Sequence, residues 1–218
     1  VATSGRPGPV VIALPEDMLC DVVEAVDRPY LSAVLQVPDE TQIKALKGLL
    51  GKAERPIAIV GGAGWTEDAG SDFARFAERA GLPVAGAFRR QDAILNSSPV
   101  WAGNLGYGPN PKLIQRIKEA DLLIVVSARL GEATTDSYTL VTLDHPGQTL
   151  VHVHPDPNEL DRAFRSDLPI CARPFEFAML LMEDETAIPT LAGTEAHAEW
   201  LEWSTPKPRE GVTLDLGL

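Results

Sequence analysis

The sequence contains little of what several common classes of protein require. Only two of its 218 residues are cysteines, Cys20 and Cys171, and they lie too far apart to form a metal or redox motif. We expect both to be buried, reduced thiols in a cytoplasmic protein. No apolar run approaches the roughly 18 residues that a membrane-spanning helix needs, so we expect no membrane as a partner.

Positive charge is scarce as well. The chain has 19 Lys and Arg against 31 Asp and Glu, which gives a formal net charge of -12. A basic face that could meet phosphate groups is therefore not expected, and this argues against nucleic acid as a partner. A hydrophobic fraction of 44% is ordinary for a globular α/β domain.

Familiar catalytic motifs are missing from the sequence. It has no G-x-S-x-G elbow and no H-E-x-x-H pair. His152 and His154 would share one face of a strand, but no third ligand accompanies them, and Asp156 is better explained as the cap of a following helix. We expect neither a catalytic site nor a metal site on this chain.

The most informative stretch is Arg55–Trp65, in which a short apolar strand enters a glycine loop and an amphipathic helix follows. The loop glycines are Gly61, Gly62 and Gly64, and Gly81 fits the end of the helix. Because glycine lacks a Cβ atom, such a loop permits a tight turn and lets a ligand's phosphates approach the backbone. This unit is typical of a nucleotide-binding βαβ fold.

The rest of the chain alternates apolar strands with helices, which is typical of a parallel sheet covered on both faces. Further strands are predicted over residues 83–88, 121–126, 149–153 and 168–171, and further helices from Asp39, over 111–119, from Asp156 and over about 175–182. Residues 101–108 are predicted to form a loop, and Val10–Pro15 a buried strand. We predict a three-layer, Rossmann-like α/β domain with a mostly parallel sheet of about six strands.

Ligands of such sheets bind at the carboxyl ends of the strands. The candidate site is therefore formed by four strand ends: Gly61–Trp65, Phe88–Arg90, Ser127–Arg129 and His154–Asp156. Glu67 replaces the third glycine of a dinucleotide fingerprint, and no acid closes the second strand. An ordinary NAD site is thus disfavoured, whereas an ADP-containing nucleotide held in another way and a purely structural turn both stay open.

A series of short motifs carries a family resemblance through its order and spacing. The motifs are Gly5–Val11, Leu14–Asp17, Arg55–Pro56, Gly61–Gly64, Pro83–Val84, Gly103–Gly106, Glu119–Leu122, Ala128–Arg129 and His152–Pro157. Together they resemble the central domain of thiamine-diphosphate-dependent enzymes of the acetolactate synthase and pyruvate oxidase type. The resemblance implies the tail of an upstream pyrimidine-binding domain over 1–17, a linker over 18–38, the central domain over 39–183, and a linker helix and tether toward a C-terminal cofactor domain over 184–218.

The same resemblance implies a parent enzyme that acts on 2-oxo acids as a carboligase or decarboxylase. Its thiamine diphosphate and Mg²⁺ would be held by the other domains of the parent chain. The present domain would be a non-catalytic structural part of a homodimer or homotetramer.

In some members of the family the central domain binds FAD or ADP. Matching positions and the glycine loop then give the expected nucleotide contacts: Gly61, Gly62, Gly64, Phe88, Arg89, Leu105, Gly106, Ala128 and Arg129. Ser127, His154 and Arg173 depart from the family pattern, which counts against FAD more than against ADP.

Two other classes of function stay open. A stand-alone nucleotide-binding or sensor module predicts a chain that naturally ends near Leu218, whereas the parent-enzyme interpretation predicts coding sequence on both sides. An NADP-dependent oxidoreductase domain that uses Arg89 and Arg90 predicts saturable NADPH binding that Arg90→Ala abolishes.

Finally, a helix that carries Trp200 and Trp203 is expected to pack on a neighbouring domain.

Overall fold

A computed structural model describes residues 2–3, 7–29, 35–141, 147–183 and 194–206. This part of the chain contains five α-helices, one short 3-10 turn (Met18–Cys20) and a six-stranded sheet. In chain order the helices and strands are α1 (Glu40–Leu50), β1 (Pro56–Val60), α2 (Glu67–Ala80), β2 (Val84–Gly86), β3 (Trp101–Asn104), α3 (Pro111–Glu119), β4 (Leu122–Val126), β5 (Thr149–His154), β6 (Leu168–Cys171), α4 (Pro174–Glu183) and α5 (Thr194–Ser204).

The sheet has the strand order β3-β2-β1-β4-β5-β6, and all its strand pairs are parallel. The central strands β1 and β4 align from Pro56 opposite Leu122 to Val60 opposite Val126. The chain proceeds from β1 toward one edge and from β4 toward the other, so the topology switches direction between these two strands. The predicted three-layer, Rossmann-like fold is confirmed.

Each face of the sheet has its own apolar core. On one face, α1, α2 and α4 pack around Phe73, whose ring centroid lies 6.2 Å from that of Phe76 and 6.5 Å from that of Phe177. On the other face, α3 contributes Leu113 and Ile117. Because both faces are covered, β1 and β4 are buried along their whole length, which explains why they form continuous apolar runs in the sequence.

The local helix signals are confirmed where they depend on neighbouring residues. The Asp39 carboxylate accepts a hydrogen bond from the Thr41 N–H at 2.7 Å, and the Gln42 side chain accepts one from the Asp39 N–H at 3.0 Å. Gly81 ends α2 in the left-handed conformation, with φ of 63°.

The segment predicted as a loop over residues 101–108 begins with a strand, so this part of the prediction was wrong. Trp101–Asn104 forms β3, a short edge strand that pairs with β2 through an irregular register. Gly103 has φ of 109°, and a Cβ there would lie 2.9 Å from the Trp200 indole, so the glycine allows α5 to approach the strand. The sequence pattern does not indicate this strand, because a glycine weakens a strand pattern and the packing of α5 requires a glycine at position 103.

Two further predictions were wrong. Residues 10–15 form no strand among the described residues, and the side chains of Val11 and Ile12 are 93% and 76% exposed, since no neighbouring strand pairs with them there. The helix predicted from Asp156 is a set of turns. Asp156 does cap the Asn158 N–H at 3.0 Å, but Asp161 turns to φ of 58° and accepts from the Ser166 N–H instead.

The helix α5 packs on this domain rather than only on a neighbouring one. The Trp200 ring lies 6.5 Å from that of Trp101, whereas Trp203 is 51% exposed. Cys20 is exposed, contrary to expectation, and Cys171 is half-buried. The domain limits at residues 17, 38 and 183 stay predictions, and residues 184–193 and 207–218 lie outside the described ranges.

Candidate functional site: the cleft at the strand ends

A cleft of about 590 Å³ opens at the carboxyl ends of β1, β2, β4 and β5, within the size range of ligand pockets. It is lined by Pro7, Gly62, Ala63, Ala87–Arg90, Tyr107, Ser127–Arg129, Gly131–Thr134, His154 and Pro155. This is the position that the alternation of strands and helices indicated, because the switch between β1 and β4 leaves the loops of neighbouring strands turning in opposite directions.

Five of the nine residues expected to contact a nucleotide line the cleft: Gly62, Phe88, Arg89, Ala128 and Arg129. The other four are not among the lining residues: Gly61, Gly64, Leu105 and Gly106.

All four have packing roles instead. A Cβ at Gly61 would lie 2.5 Å from the Ala87 Cβ, one at Gly106 would lie 2.6 Å from the Phe88 ring, and one at Gly64 would lie 3.2 Å from Pro174. Leu105 is a core residue with 3% exposure. The glycine-rich pattern is therefore explained in part by close packing.

Three arginine side chains line the cleft although the chain carries a net negative charge. The Arg89 guanidinium lies over the Phe88 ring, 5.0 Å from its centroid. Phe88 itself meets Tyr107 edge to face at 5.2 Å. Arg90 approaches Asp92, with Nε 3.4 Å from the carboxylate, and Arg129 lines the β4 side of the cleft. Together these three side chains give the cleft cationic groups that attract anions.

The backbone around the cleft contains non-glycine residues in the left-handed region. Arg89 has φ of 65°, Ser127 of 59° and Leu130 of 49°. Such conformations cost free energy and persist where the surrounding structure holds them, often at binding sites. Arg89 is thereby held at the strand end.

The loops that follow β1 and β4 are in direct contact. The Ser127 hydroxyl donates a hydrogen bond to the Ala63 carbonyl oxygen at 2.7 Å. A Cβ at Gly62 would lie 1.8 Å from the Ser127 carbonyl oxygen, so only glycine permits this approach. We call this contact of Gly62 and Ala63 with Ser127 the loop latch. No sequence pattern indicates this contact, since the residues lie more than sixty positions apart and meet only in the folded sheet.

His152 contacts the loop that follows β4. Its Nε2 lies 2.8 Å from the Ala128 carbonyl oxygen, and the side chain is buried, with 3% exposure. Burial lowers the pKa of His152, because the charged imidazolium is poorly solvated there; the hydrogen bond to Ala128 opposes the shift. The His152 and His154 ring centroids lie 6.1 Å apart. Within the described ranges no group of three or more His, Cys, Asp or Glu side chains could hold a metal ion.

The fold and the cleft define an α/β domain of the doubly wound type with a candidate ligand site at its topological switch point. Comparison with known proteins identifies the family. Residues 43–181 match the model of the thiamine pyrophosphate enzyme central domain. The chain belongs to this family, and the resemblance found in the sequence is confirmed.

Two relatives illustrate the match. The chain is 27% identical over 207 residues to the acetolactate synthase large subunit of Corynebacterium glutamicum, covering 93% of this chain and 32% of the relative. It is 31% identical over 124 residues to the sulfoacetaldehyde acetyltransferase of Alcaligenes xylosoxydans xylosoxydans, covering 57% of this chain and 21% of the relative.

A solved structure gives the same result. Benzoylformate decarboxylase from Polynucleobacter necessarius superposes with a TM-score of 0.68 at 25% identity, over 87% of this chain and 34% of that one. The chain thus spans about a third of the length of its first curated relative and of this structure. No helix in the described part of the chain is both long and apolar enough to cross a membrane.

Proposed function

We propose that this chain is the central structural domain of a thiamine-diphosphate-dependent carboligase or decarboxylase that acts on 2-oxo acids. The observation that carries the proposal is the family match over residues 43–181 together with the confirmed fold. The acetolactate synthase relative and the solved structure are about three times as long as the chain, so the remaining parts of a parent protein have room for a cofactor site. In this role the domain supplies a rigid scaffold and performs no chemistry itself.

Thiamine diphosphate and Mg²⁺ would be bound by other parts of the parent protein. Mg²⁺ needs several oxygen ligands in a fixed arrangement. The described residues offer no cluster of carboxylates for it, and the cleft carries arginines, which repel a cation. The described residues therefore do not fit the Mg²⁺ ion that accompanies the diphosphate, and the proposal places no step of the reaction on them.

Contacts with other domains or subunits are the second part of the proposal. The segment that precedes α1 carries apolar side chains that are largely exposed, among them Val11, Ile12, Val22 and Val26. A run of exposed apolar residues of this kind is typical of a surface that another domain covers. The parent would be a cytoplasmic homodimer or homotetramer that binds neither nucleic acid nor membrane.

A nucleotide in the cleft is the second candidate function. The three arginines that line it favour a phosphate-rich ligand such as ADP over FAD. This candidate is tested by denaturing the purified protein and analysing the supernatant for adenine nucleotide and flavin by chromatography. About one ADP per chain would support it, and a supernatant free of both would contradict it.

The scaffold role is tested by calorimetric titration of thiamine diphosphate in the presence of Mg²⁺. We expect the full-length parent to bind the cofactor and the 218-residue chain to show no binding. Cofactor binding by the chain alone, or none by the full-length protein, would contradict the proposal.

A further inference from the structure

We infer that Ser127 is a specificity-determining residue that excludes dinucleotides such as FAD from the cleft, because it closes the crevice between β1 and β4. In a doubly wound sheet a dinucleotide lies across the switch point, and its bridging pyrophosphate passes over the glycine loop. Here that position is occupied by the chain itself. The scaffold role proposed above does not depend on this inference.

The first ground is steric. The Ser127 carbonyl oxygen lies so close to Gly62 that a Cβ there would approach it to 1.8 Å. The Ser127 hydroxyl adds the 2.7 Å hydrogen bond to the Ala63 carbonyl oxygen. The loop latch therefore draws the two loops together and narrows the crevice at the point where a pyrophosphate would lie.

The second ground is that backbone donors at the crevice are already in use. The Gly61 N–H donates to the Val126 carbonyl oxygen at 3.0 Å, and the Ser127 N–H donates to the Val153 carbonyl oxygen at 2.7 Å. A phosphate at a glycine loop is held by free N–H groups of this kind. These two N–H groups, which directly follow β1 and β4, are engaged in the sheet instead.

The third ground is the state of the helix that follows the loop. The Thr66 hydroxyl caps the Ala69 N–H at 3.1 Å, and Glu67 and Asp68 occupy the first turn of α2. Their negative charges compete with a phosphate for the positive end of the helix dipole. The negative charges at the start of α2 thus also oppose a bridging pyrophosphate.

Of the arginines that line the cleft, Arg89 and Arg90 follow β2, and Arg129 lies in the loop after β4. In a mononucleotide the phosphates form one end of the molecule, and no second nucleoside has to lie across the crevice. Its phosphates can therefore reach Arg89 or Arg129 without crossing the loop latch. Ser127 accordingly selects against dinucleotides and leaves mononucleotides unaffected.

The inference is tested with FAD and ADP as probes in fluorescence titration and equilibrium dialysis of the wild-type protein, Ser127→Gly and Ser127→Ala. Glycine removes the hydroxyl and suits the φ of 59°, whereas alanine removes only the hydroxyl and retains the backbone constraint. Ser98→Ala is the matched control, because it removes a hydroxyl that bonds Glu78 away from the cleft. Thermal unfolding of each variant establishes that it is folded.

We expect the wild type to show no saturable FAD binding up to about 1 mM, and Ser127→Gly to bind FAD at least about tenfold more tightly than the wild type. Ser127→Ala should gain less, and Ser98→Ala should match the wild type. Stoichiometric FAD in the wild type would overturn the inference, as would a Ser127→Gly variant with unchanged FAD affinity. An ADP affinity that rises in Ser127→Gly as much as the FAD affinity would overturn the claim of selectivity.

Discussion

The Nε2 atom of His152 lies 2.8 Å from the carbonyl oxygen of Ala128, which ties the centre of β5 to the loop after β4. Since a carbonyl oxygen can only accept, Nε2 carries the proton in this contact. Ala128 in turn packs against Gly61, where an added Cβ would lie 3.0 Å from the Ala128 Cβ. A buried side chain that does not line the cleft thereby fixes the loop that does.

This contact predicts how stability depends on pH. The pKa of His152 is lowered in the folded protein by burial, whereas in the unfolded chain a histidine has a pKa of about 6.5. The unfolded state therefore binds a proton at a higher pH than the folded state does. The contribution of His152 to the free energy of unfolding is complete above about pH 6.5 and decreases as the pH falls toward the lowered pKa of the folded state.

The variant His152→Gln offers an N–H donor and cannot titrate. Urea unfolding between about pH 8 and about pH 5 should show a smaller loss of stability at low pH in the variant than in the wild type. Equal slopes in the two proteins would show that His152 does not titrate with folding.

The loop latch predicts a large difference between two glycines with nearly equal backbone angles. Gly62 and Gly108 have φ of 67° and 70°, but only at Gly62 would a Cβ meet another atom within 4 Å. Alanine at position 108 should cost roughly 1 kcal/mol, from backbone strain alone. Alanine at position 62 adds the clash with Ser127 and should cost about 3 kcal/mol or more.

Chemical denaturation of Gly62→Ala and Gly108→Ala measures this difference directly. Similar losses in the two variants would mean that the loops after β1 and β4 separate easily and that no latch exists.

The helix α5 gives a prediction about its two tryptophans. Trp200 packs edge to face on Trp101 and against Gly103, whereas Trp203 is half exposed. Trp200→Ala should lower the free energy of unfolding by about 2–4 kcal/mol, and Trp203→Ala should change it by no more than about 0.5 kcal/mol.

Limited proteolysis near residues 194–206 should show the same contrast, because loss of the Trp200 contact releases α5 from β3. Protection of α5 in Trp200→Ala equal to that in the wild type would mean that other contacts hold the helix. The ion pairs of Arg116 with Glu195 and Glu199 and of Lys112 with Glu202 would then carry it.

Much of the fold was predictable because its signals are local. The Asp39 cap, the glycine at position 81 and the apolar run of β4 each depend on residues close in sequence, and each is confirmed. β3 was missed because Gly103 weakens the strand pattern for the sake of Trp200, which lies about a hundred residues away. The exposed run at Val11 was assigned to a buried strand because it is apolar, although burial requires a partner that the sequence does not show.

The position of the candidate site could be predicted from the sequence, but most of the contacts within it could not. Parallel strands bring their carboxyl ends together, so the position of the cleft follows from the alternation of strands and helices. The hydrogen bonds between Ser127 and Ala63 and between His152 and Ala128 depend on the register of neighbouring strands, which no local sequence pattern encodes. The role of each expected nucleotide contact stays a prediction.

The most direct measurement of the proposed function is consumption of a 2-oxo acid by the full-length parent, assayed with and without thiamine diphosphate and Mg²⁺. A scaffold domain within such an enzyme predicts turnover that requires both cofactors, together with no turnover by the 218-residue chain under the same conditions. A full-length protein that leaves 2-oxo acids unchanged with both cofactors present, or a chain that turns them over alone, would contradict it.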